Sequence, residues 1–299
     1  MSNNTTFNKT FDDSELKTYG RTVAIFTWIY CIPGAVVLLL AIRANLQIMK
    51  TEAMPFRVLV TNTMAADFTL LILFIFYAAP CDLLLTEVYG HTGSILAGTY
   101  QAYAFITSMF TSFVISSNRF VAIFFPQSLD RYFSLKRTYV IAAMTWLAAV
   151  FYALFDVYMT GCDYIYDERK FIFSIYCPDQ GDHFFVTSKA ILGLYGIGFM
   201  YGLALIKLKR DNAKISSEEI AQNMAKRRMR VFWQAFGIWA SILANVLAYH
   251  FISPYMTHVL LNGIVSVVLI LCPPYGTCLI VLIFDGKTRK HIASFSDVQ

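Results

Sequence analysis

Ionisable side chains inside long apolar segments are the first candidates for chemistry in this sequence. Two carboxylates, Asp67 and Asp156, lie in such segments. A charge in an apolar interior is costly unless it is paired, hydrated or protonated, so its presence there indicates function. Two facing carboxylates that share a proton would make an aspartyl protease. This dyad is the enzyme hypothesis to test, because the sequence has no His-Glu-x-x-His, phosphate-loop or Gly-x-Ser-x-Gly motif.

A third candidate is Arg119, in the segment 115–126 (Ile-Ser-Ser-Asn-Arg-Phe-Val-Ala-Ile-Phe-Phe-Pro). It stands at the end of an apolar run. An arginine in this place can be an anchor whose stem crosses apolar surface while the guanidinium reaches the lipid headgroups. It can equally be a contact for a partner protein, and spacing alone leaves both interpretations open.

The elements that must position these residues are membrane helices. Of 299 residues, 57% are hydrophobic and only 14% are charged, whereas soluble domains average about 25% charged residues. A spanning helix needs about 20 apolar residues, and the apolar runs do not alternate as barrel strands do. We predict an all-α membrane protein with a seven-transmembrane helix bundle. The predicted helices are 22–42, 58–80, 95–117, 139–159, 185–206, 230–253 and 257–284.

These helices decide the enzyme hypothesis. Asp67 lies about nine residues into its helix, roughly 14 Å from the edge, and Asp156 lies roughly 26 Å from the same edge. The two depths differ by about 12 Å, too far for a shared proton. We therefore expect no enzyme, and Asp67 remains as an isolated polar site near the middle of the bilayer.

Basic residues between the helices indicate the orientation. Eighteen Lys and Arg residues lie on the side opposite the N-terminus and six on the N-terminal side. Basic loops stay in the cytosol, so the N-terminus is predicted outside and the C-terminus inside. Asn3, Asn4 and Asn8 begin Asn-x-Thr glycosylation acceptors, which agrees. The predicted organisation is an extracellular glycosylated tail (1–21), a transmembrane domain (22–284) and a short cytosolic tail (285–299).

Several residues resemble rhodopsin-like G-protein-coupled receptors in order and spacing. Arg119 and its downstream proline resemble the Asp-Arg-Tyr segment, 62–67 (Asn-Thr-Met-Ala-Ala-Asp) resembles the helix-two motif that ends in aspartate, and Trp146 resembles the tryptophan of helix four. The chain departs from the wider family at Asn118, where an acid normally restrains the arginine. It also has Cys-Pro-Pro-Tyr-Gly at 272–276 in place of Asn-Pro-x-x-Tyr, and no cysteine at the outer end of helix three.

The departures point to a narrower group. Segment 118–126 and the second outer loop, 161–177, resemble nematode serpentine chemoreceptors, most closely class X, with neighbouring serpentine classes left open. This resemblance implies a receptor of the plasma membrane, with sensory cilia as one location, that binds a small neutral or apolar ligand and signals through a heterotrimeric G protein. It implies no cofactor. The alternatives are a peptide or other hormone-type receptor, and a transporter or channel, which the scarcity of ionisable residues and of internal repeats disfavours.

The resemblance also implies which residues act. Arg119 with Asn118 would couple to the G protein. Asp67 and Ser108 would form an intramembrane polar site that holds water and a sodium ion, although a protonated Asp67 with a hydrogen bond would also satisfy the sequence. The ligand pocket would include Gln101, Phe105, Tyr249 and Asn262. Gln101 occupies the position of an aspartate in amine receptors, so an amine ligand is disfavoured.

A basic cluster precedes the sixth helix. A capping box at Ser216 and Glu219 predicts that this helix begins near residue 217 and projects into the cytosol. Its bases Lys226, Arg227 and Arg228 are predicted to contact the G protein, and attraction of a basic collar to anionic lipid would explain the charges equally well. A nucleic-acid partner is not expected, because the basic residues, which give a net charge of +5, form no continuous face.

Three cysteines fall near the outer side, where disulfides form. Cys162 and Cys177 would close a 16-residue loop, and Cys81 is a third candidate. Three pairings exist, of which we favour Cys162 with Cys177.

Overall fold

The computed structural model describes residues 13–177, 180–213, 219–252, 256 and 258–296. Seven long helical segments form one bundle, as predicted. They are α1 (Asp13–Thr51); α2 (Pro55–Leu73), a π-turn (Phe74–Ala78) and α3 (Ala79–Leu84); α4 (Gly90–Phe124); α6 (Leu135–Thr160); α7 (Gln180–Asn212); α8 (Glu219–Phe251); and α9 (Val259–Ile270) with α10 (Cys272–Phe284). We call the bundle end at which α1 begins the N-terminal face and the other end the C-terminal face.

Shorter elements lie at both faces of the bundle. On the C-terminal face, a 3₁₀ turn (Pro126–Ser128) and α5 (Leu129–Tyr132) follow α4, and α11 (Gly286–Ser296) follows α10. On the N-terminal face, β1 (Asp163–Asp167) and β2 (Ile172–Tyr176) form an antiparallel hairpin in which Asp163 opposes Tyr176. The sequence predicted neither the hairpin nor α11, because both are short and take their support from the bundle.

Among the described residues, five helices are individually long and apolar enough to cross a membrane, and the bent α9–α10 pair makes six. The central α4 is not among them, although it is 35 residues long. Its buried residues include Thr107, Ser108, Thr111, Ser112 and Ser116. These hydroxyls lower its hydropathy, and they are tolerated because neighbouring helices surround α4 and shield it from lipid.

The second span is interrupted by a π-turn just before Pro80. The Ala79 N–H bonds to the Phe74 carbonyl, so the Ile75 carbonyl lacks its usual helical donor. Trp28 of α1 supplies one through its indole N–H, at 3.0 Å. The irregularity is therefore paired with a polar side chain of the adjacent helix, as apolar surroundings require.

The seventh span breaks at Leu271 and bends by 40°. The prediction of one continuous helix over 257–284 is wrong at this point. Pro274 has no N–H for the Ile270 carbonyl, four residues earlier. The Asn245 side chain of α8 donates to that carbonyl instead, at 3.2 Å.

Candidate functional site

A cavity of about 120 Å³ lies in the N-terminal half of the bundle, among α4, α6, α8, the seventh span and the hairpin. A single water needs about 10–15 Å³ on the same measure, so the space holds a larger molecule. None of the described residues that line it is Asp, Glu, Lys or Arg. The polar side chains of its lining are Gln101, Tyr152, Tyr164, Ser174, Asn245, Tyr249 and His250, and the remaining lining residues are apolar. Such a lining suits a small neutral ligand.

Three of the four predicted pocket residues, Gln101, Phe105 and Tyr249, line this cavity. Asn262 does not, and Ile270 is the residue of the seventh span that does. The reason is the hairpin, which occupies the level of Asn262: a Cβ placed on the adjacent Gly263 would meet the Phe171 side chain. Sequence reasoning also left out Met109, Tyr152 and Phe173, since apolar and aromatic lining residues look like ordinary core residues in a sequence.

The hairpin covers the cavity and is held in place at several points. Cys162 and Cys177 form a disulfide, as predicted, and Cys81 is a buried free thiol. Tyr249 donates its hydroxyl proton to the Phe173 carbonyl at 3.1 Å. The Ser94 side chain of α4 bonds to both the N–H and the carbonyl of Tyr166, each at 3.1 Å.

Close packing also fixes the hairpin against α4. A Cβ placed on Gly98 would overlap the Tyr164 carbonyl oxygen, so only glycine allows the strand to lie this near. Together with the Ser94 bonds, this contact holds the hairpin to the third span.

A second buried contact joins the hairpin to α3. The Tyr166 hydroxyl donates to Asp82, a fully buried carboxyl group. Burial, and then the charge of Asp82, raises the pKa of Tyr166 well above its ordinary value. Sequence reasoning missed Asp82, although it is a carboxylate at the end of an apolar run, because its partner lies 84 residues away.

The intramembrane pair Asp67 and Ser108 is brought together as predicted. Ser108 donates to one carboxyl oxygen of Asp67 at 3.0 Å. The other oxygen is buried, and the hydroxyl of Thr277 on α10 lies beside it. One carboxylate and two hydroxyls therefore converge from three spans, and oxygen ligands of this kind suit a sodium ion.

Asn62 and Trp146, two residues of the motifs noted above, lie in one network. The Trp146 indole N–H donates to the Asn62 side-chain oxygen at 2.8 Å. The Asn62 amide donates to Thr111 at 2.9 Å and to Thr145 at 3.1 Å. The network ties α2, α4 and α6 together, which is a structural role.

Arg119 points into the C-terminal half of the bundle. Its guanidinium lies over the ring of Phe56, with Cζ 4.3 Å from the ring centroid, and donates to the side-chain oxygen of Asn118. The nearby Tyr201 is fully buried, and its hydroxyl has no hydrogen-bond partner among the described residues. No ion pair of Arg119 occurs in the described part of the chain.

A second cavity, of about 520 Å³, opens on the C-terminal face among α1, α2, α8, α10 and α11. Of the predicted coupling residues, only Arg227 lines it; Lys226 and Arg228 are exposed outside it. Arg57, Arg230, Lys287 and Lys290 line it as well, against two acids, Glu52 and Asp285. The cavity is thus positively charged and suits a partner surface that carries negative charge.

A polar network at the rim of this cavity joins α1, α2 and α11. Arg57 pairs with Asp285 at 2.7 Å and donates to Asn45 at 2.8 Å. The Thr288 hydroxyl lies within hydrogen-bonding distance of two acceptors, the Asn45 side-chain oxygen at 3.1 Å and Asp285 at 3.0 Å. In the sequence, Arg57 was counted only as one of the basic residues that set orientation, and no local signal indicates its partner 228 positions away.

The chain matches one known protein family, and its fold is similar to that of a solved structure. Residues 25–285 match the family described as serpentine type 7TM GPCR chemoreceptor Srx. The fold is similar to the crystal structure of squid rhodopsin, with a TM-score of 0.75 over 100% of this chain and 91% of the other and with 17% sequence identity. At this identity the rhodopsin likeness concerns the fold alone. No curated protein sequence matches the chain.

Proposed function

The chain belongs to the Srx family of serpentine seven-transmembrane chemoreceptors, and from this premise we propose a ligand, a partner and an orientation for it. It is a G-protein-coupled chemosensory receptor and a multi-pass membrane protein. The family match decides for a receptor over the transporter or channel that the sequence alone left open. In our proposal the receptor lies in the plasma membrane, including that of sensory cilia, with the N-terminal face outside and Asn3, Asn4 and Asn8 glycosylated.

The proposed ligand is a small, neutral, mostly apolar molecule bound in the N-terminal cavity. The observation that carries this proposal is the lining beneath the hairpin, which contains no Asp, Glu, Lys or Arg. Gln101 and Asn245 would supply the hydrogen bonds that orient the ligand, and Phe105 and Met109 would supply apolar contact. The small volume of this cavity, about 120 Å³, disfavours a peptide hormone.

The proposed partner is a heterotrimeric G protein at the C-terminal face. The basic cavity there supports it, with Arg227 and Arg230 on α8 opposite Arg57 on α2. Ligand binding in one half would act on the other by shifting an equilibrium between two packings of the bundle. Arg119 and Asn118, between the two cavities, would be part of that shift.

The test is a reporter cell that expresses the receptor with a G protein, screened with uncharged small molecules. With an active compound in hand, Gln101→Leu is expected to shift its concentration dependence about tenfold, because the loss of an oriented hydrogen bond costs about 1–1.5 kcal/mol. Tyr195→Phe, on the exposed surface of α7, is the matched control and should respond as wild type.

The coupling role is tested in the same cells. Arg119→Ala should abolish the response at normal surface expression, whereas Lys50→Ala, an exposed cation at the end of α1, should keep it. An Arg119→Ala variant that reaches the surface and signals normally would refute the assigned role.

A further inference from the structure

Among the described residues, no carboxylate pairs with Arg119 inside the bundle. The preceding residue is Asn118, and the charge of Arg119 meets two neutral groups, the Asn118 amide oxygen and the face of the Phe56 ring. A guanidinium over an aromatic face is attracted by the ring quadrupole, most strongly where water is excluded. The Nε of Arg119 is buried, so this site is at least partly dry.

Phe56 also lies on the wall of the C-terminal cavity, and Arg119 does not. The ring therefore stands between the guanidinium and the space that opens on the C-terminal face. A partner that enters this cavity meets Phe56 before it meets Arg119.

The position of Phe56 is fixed by its neighbours in the chain. Pro55 begins α2, and Arg57 is tied to Asp285 and Asn45. The ring thus projects from the rigid first turn of a helix whose other contacts hold it to α1 and α11.

We propose that Phe56 is a positioning residue that covers Arg119 and restrains it in the resting receptor, in place of the acid that Asn118 replaces. This proposal rests on the proposed G-protein coupling. It requires that the Arg119–Phe56 contact separate before a G protein can reach the arginine. Weakening the contact between Phe56 and Arg119 should then raise signalling in the absence of ligand, because less free energy is needed to reach the active packing of the bundle.

The signalling test compares three variants for ligand-independent output per receptor at the surface. Phe56→Leu is expected to raise this output about threefold, the ratio that corresponds to the loss of a modest cation–π contact. Phe56→Tyr keeps an aromatic face and should stay near wild type. Phe113→Leu removes an aromatic ring from the exposed face of α4, outside both cavities, and is the matched control.

A double-mutant cycle on the purified receptor tests the contact without any G protein. Phe56→Leu should lower the melting temperature in the wild-type background and clearly less in an Arg119→Met background. Equal losses in both backgrounds would overturn the contact, and unchanged ligand-independent output from a well-expressed Phe56→Leu receptor would overturn the restraint. A receptor that activates no G protein would instead refute the proposed function, while the cycle would still decide whether Phe56 holds Arg119.

Discussion

At Asp67, a buried carboxyl group meets two hydroxyls of neighbouring spans. One oxygen accepts from Ser108, and the hydroxyl of Thr277 lies beside the other. An unpaired charge in a bilayer interior costs several kcal/mol, so the site must take up a proton or a cation. Three convergent oxygen-bearing side chains suit a cation, and a protonated Asp67 that donates to Thr277 would satisfy the same groups.

We expect sodium to stabilise the receptor through Asp67. In detergent, replacing choline chloride with sodium chloride at equal ionic strength should raise the melting temperature by about 3 °C, for a concentration near ten times Kd. Asp67→Asn should lose this rise, whereas the exposed control Asp130→Asn should keep it. The same rise in Asp67→Asn would place the sodium effect elsewhere.

A second prediction at this scale concerns Tyr166. Tyr166→Phe leaves the buried Asp82 without its donor and should destabilise the receptor by about 2 kcal/mol in thermal unfolding. Tyr176→Phe removes an exposed hydroxyl bonded to Asp167 and should change stability by less than about 0.5 kcal/mol. Equal effects of the two substitutions would contradict a special role for Tyr166.

The stability contributed by Tyr166 should also depend on pH. Because the pKa of Tyr166 is raised, this contribution is present in full below pH 10.0, the ordinary pKa of tyrosine, and is lost as the pH rises beyond it.

At the scale of elements, breaks in the helices coincide with side chains that satisfy the released carbonyls. Trp28 donates to the Ile75 carbonyl in the π-turn before Pro80, and Asn245 donates to the Ile270 carbonyl at the break before Pro274. The two side chains differ in location. Trp28 belongs to α1 and does not line the N-terminal cavity, whereas Asn245 does. A ligand that competes for the Asn245 amide would act directly on the bend of the seventh span.

The network of α1, α2 and α11 supplies a prediction with an internal control. Arg57→Gln breaks a pair whose side chains are 13% and 18% exposed, and it should destabilise the receptor by about 2 kcal/mol. Lys287→Gln breaks the exposed pair with Glu52 and should have a much smaller effect. Thermal unfolding of both variants in detergent measures the difference, and a larger effect of Lys287→Gln would contradict this account.

The pH dependence of the Lys287 effect follows from Glu52. The hydrogen bond and charge of Lys287 lower the pKa of Glu52 below 4.5. A carboxyl group with a lowered pKa contributes stability above its unfolded value, and this contribution is lost as the pH falls through the folded value. The small difference between wild type and Lys287→Gln should therefore disappear on acidification.

Gly98 tests how the hairpin meets α4. Gly98→Ala should destabilise the receptor by about 1–2 kcal/mol and weaken ligand responses, because a Cβ there overlaps the Tyr164 backbone. Gly196→Ala on α7, where a Cβ meets nothing, should be neutral or stabilise by up to about 1 kcal/mol, since alanine favours helix. The opposite signs, measured by melting temperature, distinguish steric overlap from a general intolerance of substitution. A neutral Gly98→Ala would contradict the packing argument.

At the scale of the whole molecule, orientation is a property of the chain in its membrane. The prediction rests on eighteen Lys and Arg residues on one side against six on the other. The basic C-terminal cavity and α11 lie on the predicted cytosolic side, which is consistent with the proposal. The acceptors Asn3, Asn4 and Asn8 lie outside the described residues.

Topology can be measured directly. An N-terminal tag should be stained on intact cells, and a C-terminal tag only after permeabilisation. Glycosidase treatment should increase the mobility of wild-type receptor on a gel and leave a variant with all three asparagines changed to Gln unaffected. Staining of both tags on intact cells would contradict an odd number of spans and, with it, the placement of every site.

The amino-acid sequence by itself determined the class of protein and the number and order of the helices, because these follow from runs of apolar residues and from basic gaps along the chain. The Asp67–Ser108 pair followed from the resemblance to rhodopsin-like receptors, and the cysteine pairing was the favoured one of three. Three of the four pocket residues named from that resemblance line the cavity.

Only the tertiary structure decided which side chains meet across the bundle. Phe56 against Arg119, Arg57 against Asp285, Tyr166 against Asp82, and the hairpin that displaces Asn262 from the cavity all join residues far apart in sequence. The physical reason is that the apolar pattern of a helix fixes how deep each residue lies in the bilayer. It constrains less closely which face of the helix the residue occupies. The identity of the facing residue depends on how helices rotate and bend against one another, which the packing of the whole bundle sets.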